Sequence, residues 1–282
     1  MLQKSPVFVA YFNMAKQIKH QQSQCCYQNW MAQQRLDLDE LLEALNNYPT
    51  DLDYLHLMTK KAIDHFENYR TARAQLAKHD APSFLSPSWG TTFENSFLWI
   101  GGCRPSLIIR LVYVLCGSQL STHLAEFLEG VRRGNLGEIS SSQLKSIDDL
   151  HAKTVKEEDK LTSRLASLQE NIEDEPLVLL ANDCSEPGEW SRGDVVDRAM
   201  DSHALDLYKI MLEADKLRMD ILKGTIDILT LLQAVELLVA SKKLHLSLHE
   251  WSKRRDVRMG ITRLLNPNKP RPLTVHHHPT HF

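Results

Sequence analysis

The chain has 282 residues, 43% of them hydrophobic and 24% charged, with a formal net charge of −3. That balance is ordinary for a soluble protein and leaves ample sequence for a sizeable core; it argues against a general nucleic-acid or membrane binder. The cysteines are Cys25, Cys26, Cys103, Cys116 and Cys184, an odd number without a Cys-x-x-Cys pair, so neither a disulfide framework nor a zinc site is expected, and reduced thiols fit the cytosol or nucleus.

Residues 1–24 read as a poorly ordered leader with a glutamine-rich end. Its apolar patch Val7 to Phe12 is too short for a signal peptide, and no apolar run reaches a membrane span. Residues 1–36 lack Asp and Glu, which leaves an organelle-targeting segment open. From Cys25 to about Asn46, Tyr27, Trp30, Met31, Gln34, Leu38, Leu41, Leu42 and Leu45 follow the spacing of one helix face. Tyr48-Pro49 breaks that helix, and Thr50 with Asp53 has capping-box spacing. Leu52, Leu55, Ala62, Phe66, Tyr69, Arg73 and Leu76 then stripe a helix over 51–78, with Lys60, Lys61, His65 and Arg70 on its solvated side. Residues 79–90 form a loop.

The stretch 86–117 predicts two short apolar helices about a rigid corner. Thr91 or Thr92 caps the first, over 93–100, and Gly101 and Gly102 stop it. Pro105 suits the first turn of the second, which ends at Gly117. Trp89 and Trp99 fit core positions. Arg104 sits in the apolar corner and needs a partner, for which Glu94 is a candidate.

His123 to Val131 predicts a short helix, followed by a glycine-marked loop. A long helix over 141–172 would span about 46 Å at 1.5 Å per residue. Leu144, Ile147, Leu161, Leu165, Leu168 and Ile172 hold a heptad that His151, Thr154 and Glu158 interrupt, which leaves a coiled-coil dimer and a long bundle helix both open. Residues 156–160 read as a solvated charged face, and 173–194 as an acidic loop. A helix over 194–223 buries Leu205, Tyr208, Met211, Leu212, Leu217, Ile221 and Leu222, with Gly224 a point of weakness. The last strong helix covers 230–255, and 256–282 is expected to be a disordered tail. No segment alternates with period two. The expected fold is all-α, an antiparallel bundle of long amphipathic helices, with 25–255 as its domain.

The best ligand chemistry lies in Lys242-Lys243-Leu244-His245-Leu246-Ser247-Leu248-His249-Glu250-Trp251. His245 and His249 are four apart and project from one helix face, beside an apolar stripe of Leu237, Leu244, Leu248 and Trp251. The pair can share a metal, one of them can bind a haem iron, or both can be hydrogen-bonded helix residues. Leu246 stands where a zinc protease would need Glu. His276, His277, His278 and His281 form a weak metal-binding tract. Lys253, Arg254, Arg255 and Arg258 close an amphipathic helix and suit phosphates, a calmodulin-like partner, an import receptor or plain solvation. There is no Gly-rich phosphate loop, nucleophile elbow or paired carboxylate, and no enzyme is expected.

Trp-Ile-Gly-Gly-Cys-Arg-Pro-Ser, preceded by Glu94 and Asn95, resembles the signature of the plant DELAY OF GERMINATION (DOG) domain, found in seed-dormancy proteins and in the C-terminal half of TGA-type bZIP transcription factors. Its signature positions here are Glu94, Trp99, Gly101, Gly102, Arg104 and Pro105. Tyr27-Gln-Asn-Trp30-Met31 and Leu41-Leu42-Glu43-Ala44-Leu45 resemble the start of that domain. The resemblance implies a role for Tyr27 and Trp30 in docking clade A protein phosphatases, although Cys25, Cys26 and Asn29 depart from the pattern. The run 242–251 resembles the dormancy branch, in which the equivalents of His245 and His249 are implicated in haem binding. The implied protein is a non-enzymatic plant regulator of dormancy and abscisic-acid-linked responses in the nucleus and/or cytoplasm. The alternative is a transcription-associated factor that dimerises as TGA proteins do. Nothing like a basic region and leucine zipper precedes the domain, so direct DNA binding is not expected.

Overall fold

The computed structural model describes residues 6–171 and 193–260, with side chains over 20–171 and 197–260. Most of the predicted acidic loop, and residues 261–282 with their four histidines, lie outside the described residues. Ten elements follow in order: α1 (Pro6–Asn47), α2 (Leu52–Ala77), α3 (Ala81–Leu85), α4 (Thr92–Asn95), α5 (Ser106–Thr122), α6 (Leu124–Leu128), a 3-10 turn (Leu136–Glu138), α7 (Ser141–Glu170), α8 (Gly193–Ile228) and α9 (Leu231–Arg258). No strand occurs among the described residues, and the expected all-α fold is observed.

Local sequence explains most of the helix starts. Asp51 accepts from the amide of Tyr54 and begins α2. Thr91 with Glu94, Ser140 with Gln143, and Thr230 with Gln233 form full capping boxes for α4, α7 and α9, each satisfying amides that have no partner inside the helix. The boundaries differ from expectation in several places, among them α3 within the loop predicted over 79–90, Asp51 instead of Thr50 as the cap of α2, and α9 continuing to Arg258. α1 starts at Pro6, so part of the predicted leader is helical. α4 ends at Asn95 instead of continuing to residue 100, because the chain turns back through a bridge between Trp99 and Gly102. α5 passes Gly117 and α8 passes Gly224. One glycine in a helix costs only about 1 kcal/mol, and the apolar residues on either side outweigh it.

The helices pack in two groups. α1 and α2 form a hairpin against α9, and α7 lies along α8. α2 and α5 reach both groups. α8 and α9 are joined by two residues yet hardly touch, so they follow one another at a corner. One core cluster is centred on Leu41, Leu55, Val112, Leu136, Val235 and Leu237. A second gathers Phe84, Trp99, Ile100, Leu161, Met211 and Ala214, and Ile109, Ile147 and Ile221 join the two groups.

The heptad of α7 is directed at α8 of the same chain, and its polar middle is structural. Thr154 is buried, and Glu158, expected on a solvated face, is 1% exposed. Its two oxygens accept from the Ser106 amide at 2.7 Å and the Ser106 hydroxyl at 3.0 Å. α5 has no capping side chain of its own, so a carboxylate from another helix meets the positive end of its dipole. Arg104 lies 3.6 Å from Glu158 with its side chain half exposed. The expected pairing of Arg104 with Glu94 is therefore incorrect; Glu94 is engaged elsewhere.

Candidate functional site

Residues 99–103 leave helical geometry at the edge of the core, and apart from the Trp99–Gly102 bridge their carbonyls draw on other elements for partners. Two arginines supply them. Arg218 of α8 donates from Nε to the Cys103 carbonyl at 2.7 Å and from Nη2 to the carbonyls of Trp99 and Ile100, the latter at 3.0 Å. Arg73 of α2 donates from Nη2 to the Gly101 carbonyl at 2.8 Å. Asp215 Oδ1 accepts from both guanidinium groups, at 3.1 Å from Arg73 and 2.5 Å from Arg218. All three side chains are buried, and burial lowers the Arg218 pKa from its usual value against the opposing pull of Asp215. The glycines make this approach geometrically feasible. A Cβ on Gly102 would lie 2.8 Å from Arg218 Cζ, and one on Gly101, at φ +68°, would lie 2.6 Å from Arg73 Nη2. Trp99 lies under the Arg218 guanidinium at 5.4 Å and donates to Thr162 Oγ1 at 2.9 Å. Pro105 caps α5 in helical conformation. Trp99, Gly101, Gly102 and Pro105 of the signature thus form one corner with Arg104 at its edge, while Glu94 belongs to a separate cluster.

A second cluster joins α1, α4 and α9. His249 Nδ1 is 2.8 Å from Glu94 Oε1, and the Tyr27 hydroxyl donates to the same oxygen at 3.2 Å. The other oxygen accepts from the Thr91 hydroxyl at 2.6 Å and the Thr91 amide at 3.1 Å. Burial pushes the Glu94 pKa up, but the bonds from His249 and Thr91 more than offset this and hold it down at about 2. An ionised carboxylate only accepts, so His249 Nδ1 carries the proton in this bond. Burial, and then Glu94, raise the Tyr27 pKa. His245, one turn before His249, has a lowered pKa through burial.

A third cluster lies one helical turn or more away on the same seam. Lys242 Nζ donates to Asp37 Oδ2 at 2.8 Å and Gln34 Oε1 at 3.1 Å. His65 Nδ1 is 2.7 Å from Asp37 Oδ1, which corrects the placement of His65 on a solvated face. Burial opposes the charge on Asp37, but bonds from Lys242, Gln33 and His65 hold its pKa below the usual value. Sequence reasoning missed Asp37, Lys242, Asp215 and Arg218. The available signal was a charged residue at a stripe position, as Arg73 is within the apolar stripe of α2.

Of the partner-docking pair, Trp30 is buried and Tyr27 is partly exposed. Trp30 is 8% exposed, stacks on Tyr69 at 4.6 Å and meets Phe66 edge-on at 5.4 Å. Tyr27 is engaged by Glu94. Trp30 does not present its ring to a partner in this packing, and the Tyr27 hydroxyl is turned to the cluster. For His249 the donor chemistry suits haem: an Nδ1–carboxylate bond is the kind that orients an imidazole toward a metal at Nε2, and no such bond is made by His245 among the described residues. His249 is 5% exposed, whereas His245 is only partly buried. Two imidazoles on one helix face approach a metal from the same side, so one haem would take them one at a time. No group of three or more candidate metal ligands converges among the described residues.

Two predictions follow from this geometry. Gly102→Ala and Gly101→Ala should each lower stability by about 2–4 kcal/mol, since the guanidinium must move away from its carbonyls. Gly117→Ala, whose Cβ meets nothing within 4 Å, should be neutral or stabilise by up to about 1 kcal/mol. Urea midpoints at unchanged m-value read both effects, and equal outcomes at 102 and 117 would sink the steric argument. The second concerns acid. The folded pKa of Glu94, about 2, lies below its ordinary 4.5, so its contribution is present above pH 4.5 and is lost as pH falls toward 2. The lowered pKa of His245 gives an earlier loss as pH falls below its ordinary 6.5. Thermal midpoints should therefore drop from about pH 6.5 downward, with the lower limb shallower in Glu94→Gln and the upper limb shallower in His245→Gln.

Comparison with known proteins places this architecture. The sequence profile of a family described as "DOG1: Seed dormancy control" matches residues 37–114, which include the corner and Glu94. Protein DOG1-like 3 of Arabidopsis thaliana is 39% identical over 248 residues, 84% of this chain and 86% of that protein. Protein DOG1-like 1 of the same plant is 39% identical over 83% of this chain and 90% of its own length. Transcription factor TGA2 of Arabidopsis thaliana is 27% identical over 76% of this chain and 58% of its own. With that identity sustained across both helix groups, the chain belongs to the DOG1 family.

Proposed function

We propose that the protein is a non-enzymatic plant regulator that controls seed dormancy and germination, in abscisic-acid-linked transcriptional responses, by binding other proteins. The observation that carries this reading is the likeness to DOG1-like proteins across more than four-fifths of the chain. The arrangement of the interior supports it: the buried charges of the three clusters hold helices together and face one another. The likeness to TGA transcription factors supports action in the nucleus and leaves TGA-like dimerisation as the alternative mode. Because Trp30 is enclosed by Tyr69 and Phe66, a phosphatase or other partner would have to meet exposed residues instead. The test is germination of freshly harvested seed from a line lacking the gene, with and without the restored wild-type sequence. Restored seed should germinate less and respond more strongly to abscisic acid, and identical germination would overturn the proposal.

A second reading is haem binding at His245 and His249, favoured by the Nδ1–Glu94 bond. Haem would supply an iron able to sense redox state or a diatomic gas, and Glu94 and Tyr27 would keep the His249 ring oriented. Titration of purified protein with haem should give a Soret band that is lost in His245→Ala/His249→Ala. No band at stoichiometric haem would remove this reading.

A further inference from the structure

The face of α9 turned away from the clusters is built differently from its inner face. The sequence stripe Leu237, Leu244, Leu248 and Trp251 was expected to be buried, and Leu237 is, but Leu244 is 53% and Trp251 60% exposed. Leu244, Leu248 and Trp251 stand four and three residues apart and so form one row over two turns. Arg255 continues that row and lies 5.5 Å over the Phe93 ring of α4. Phe93 in turn meets Phe97 at 5.0 Å, and Phe97 is 57% exposed. The apolar strip therefore passes from α9 onto α4.

Its charge is one-sided. Lys243, Arg254 and Arg258 are exposed on the solvent flank of the row, and none of them has an ion pair among the described residues. The acidic groups of the same helix are already engaged: Glu250 pairs with Arg35 at 3.1 Å, and Asp256 accepts from the Thr92 amide at 3.0 Å. An exposed tryptophan among arginines has the composition of an interface hot spot. We infer that this strip is a docking surface for an acidic amphipathic helix of a partner protein. Apolar side chains of that helix would cover Leu244, Leu248, Trp251 and Phe97, and its Asp or Glu residues would face Lys243, Arg254 and Arg258. A membrane fits less well. Interfacial helices bury a whole apolar face, and α9 gives its opposite face to α1 and α4, leaving a narrow row.

The inference rests on the protein-binding reading above. Its test uses purified full-length protein and a synthetic helical peptide of about 20 residues with leucines at heptad spacing and flanking glutamates, read by tryptophan emission with Trp251→Phe to assign the signal. The acidic peptide should bind, more weakly as salt rises. Arg254→Gln/Arg258→Gln should weaken binding by about tenfold or more, with little change in the thermal midpoint since both side chains are exposed. A version of the peptide with lysines for glutamates should not bind. Equal binding of the two peptides, no binding of either, or a Trp251 shift on phosphatidylserine vesicles but not with peptide would overturn the inference. So would light scattering that shows a dimer abolished by Trp251→Ala. Any of these in a protein that still restores dormancy would remove the surface and leave the protein-binding reading standing.

Discussion

Two buried guanidinium groups gripping the carbonyls of a non-helical corner are the interaction on which the remaining packing depends. Removing two cations and one carboxylate from water is unfavourable, and pairing alone rarely recovers that cost. Here the carbonyls of Ile100 and Gly101 have no backbone partner and that of Trp99 has only the Gly102 amide, and Arg73 and Arg218 supply bonds to all three and to the Cys103 carbonyl. The two penalties cancel against each other. Asp215 neutralises one of the two charges and sets the spacing of the guanidinium groups. Since Arg73 comes from α2 and Arg218 from α8, the corner fixes how the two helix groups meet. Gly101 and Gly102 belong to the same device, because any side chain there would stand where a guanidinium must lie.

The seam between α1 and α9 solves a different problem. Apolar helix faces can slide past one another by a turn at little cost, and a buried polar contact is the best-attested means of fixing register. Asp37 takes hydrogen bonds or ion pairs from Lys242 on α9, His65 on α2 and Gln33 on its own helix. Glu94 takes His249 from α9 and Tyr27 from α1. Each carboxylate thus meets three helices. Shifting α9 by one turn would break both sets together.

The helices were legible because their information is local. Apolar spacing located α2, and capping residues with apolar spacing located α7 and α9, to within three residues at each described end, although the cap of α2 is Asp51 and not the expected Thr50. The corner was legible as glycines and a proline that stop and restart helices, but its cause was not, since Arg218 lies more than 100 positions away. The same holds for Glu158. Within a charged run it is indistinguishable from its solvated neighbours, and only the bare N-terminus of α5 gives it a role. The histidine pair shows the limit most plainly. Spacing placed both imidazoles on one face, as observed, but whether an imidazole serves as ligand or strut depends on what faces Nδ1. That group is Glu94, 155 positions away. Trp30 illustrates the reverse case: a family resemblance suggested a contact for a partner, and aromatic neighbours on α2 enclose it.

The two faces of α9 follow from one constraint. A helix lodged between α1 and α4 can keep polar groups inward only where each finds a hydrogen-bond partner, and Lys242, His249 and Asp256 all do, from Asp37, Glu94 and Thr92. The same pairing draws Glu250 toward Arg35 on α1. With its acids held by neighbouring elements, the helix is left with unpaired cations on its free side. The outward basic character is therefore a consequence of how the interior is satisfied and not of the overall composition, which is slightly acidic. In a protein whose net charge gives no long-range preference, that local separation is what allows one surface to discriminate by charge among partners of similar apolar content.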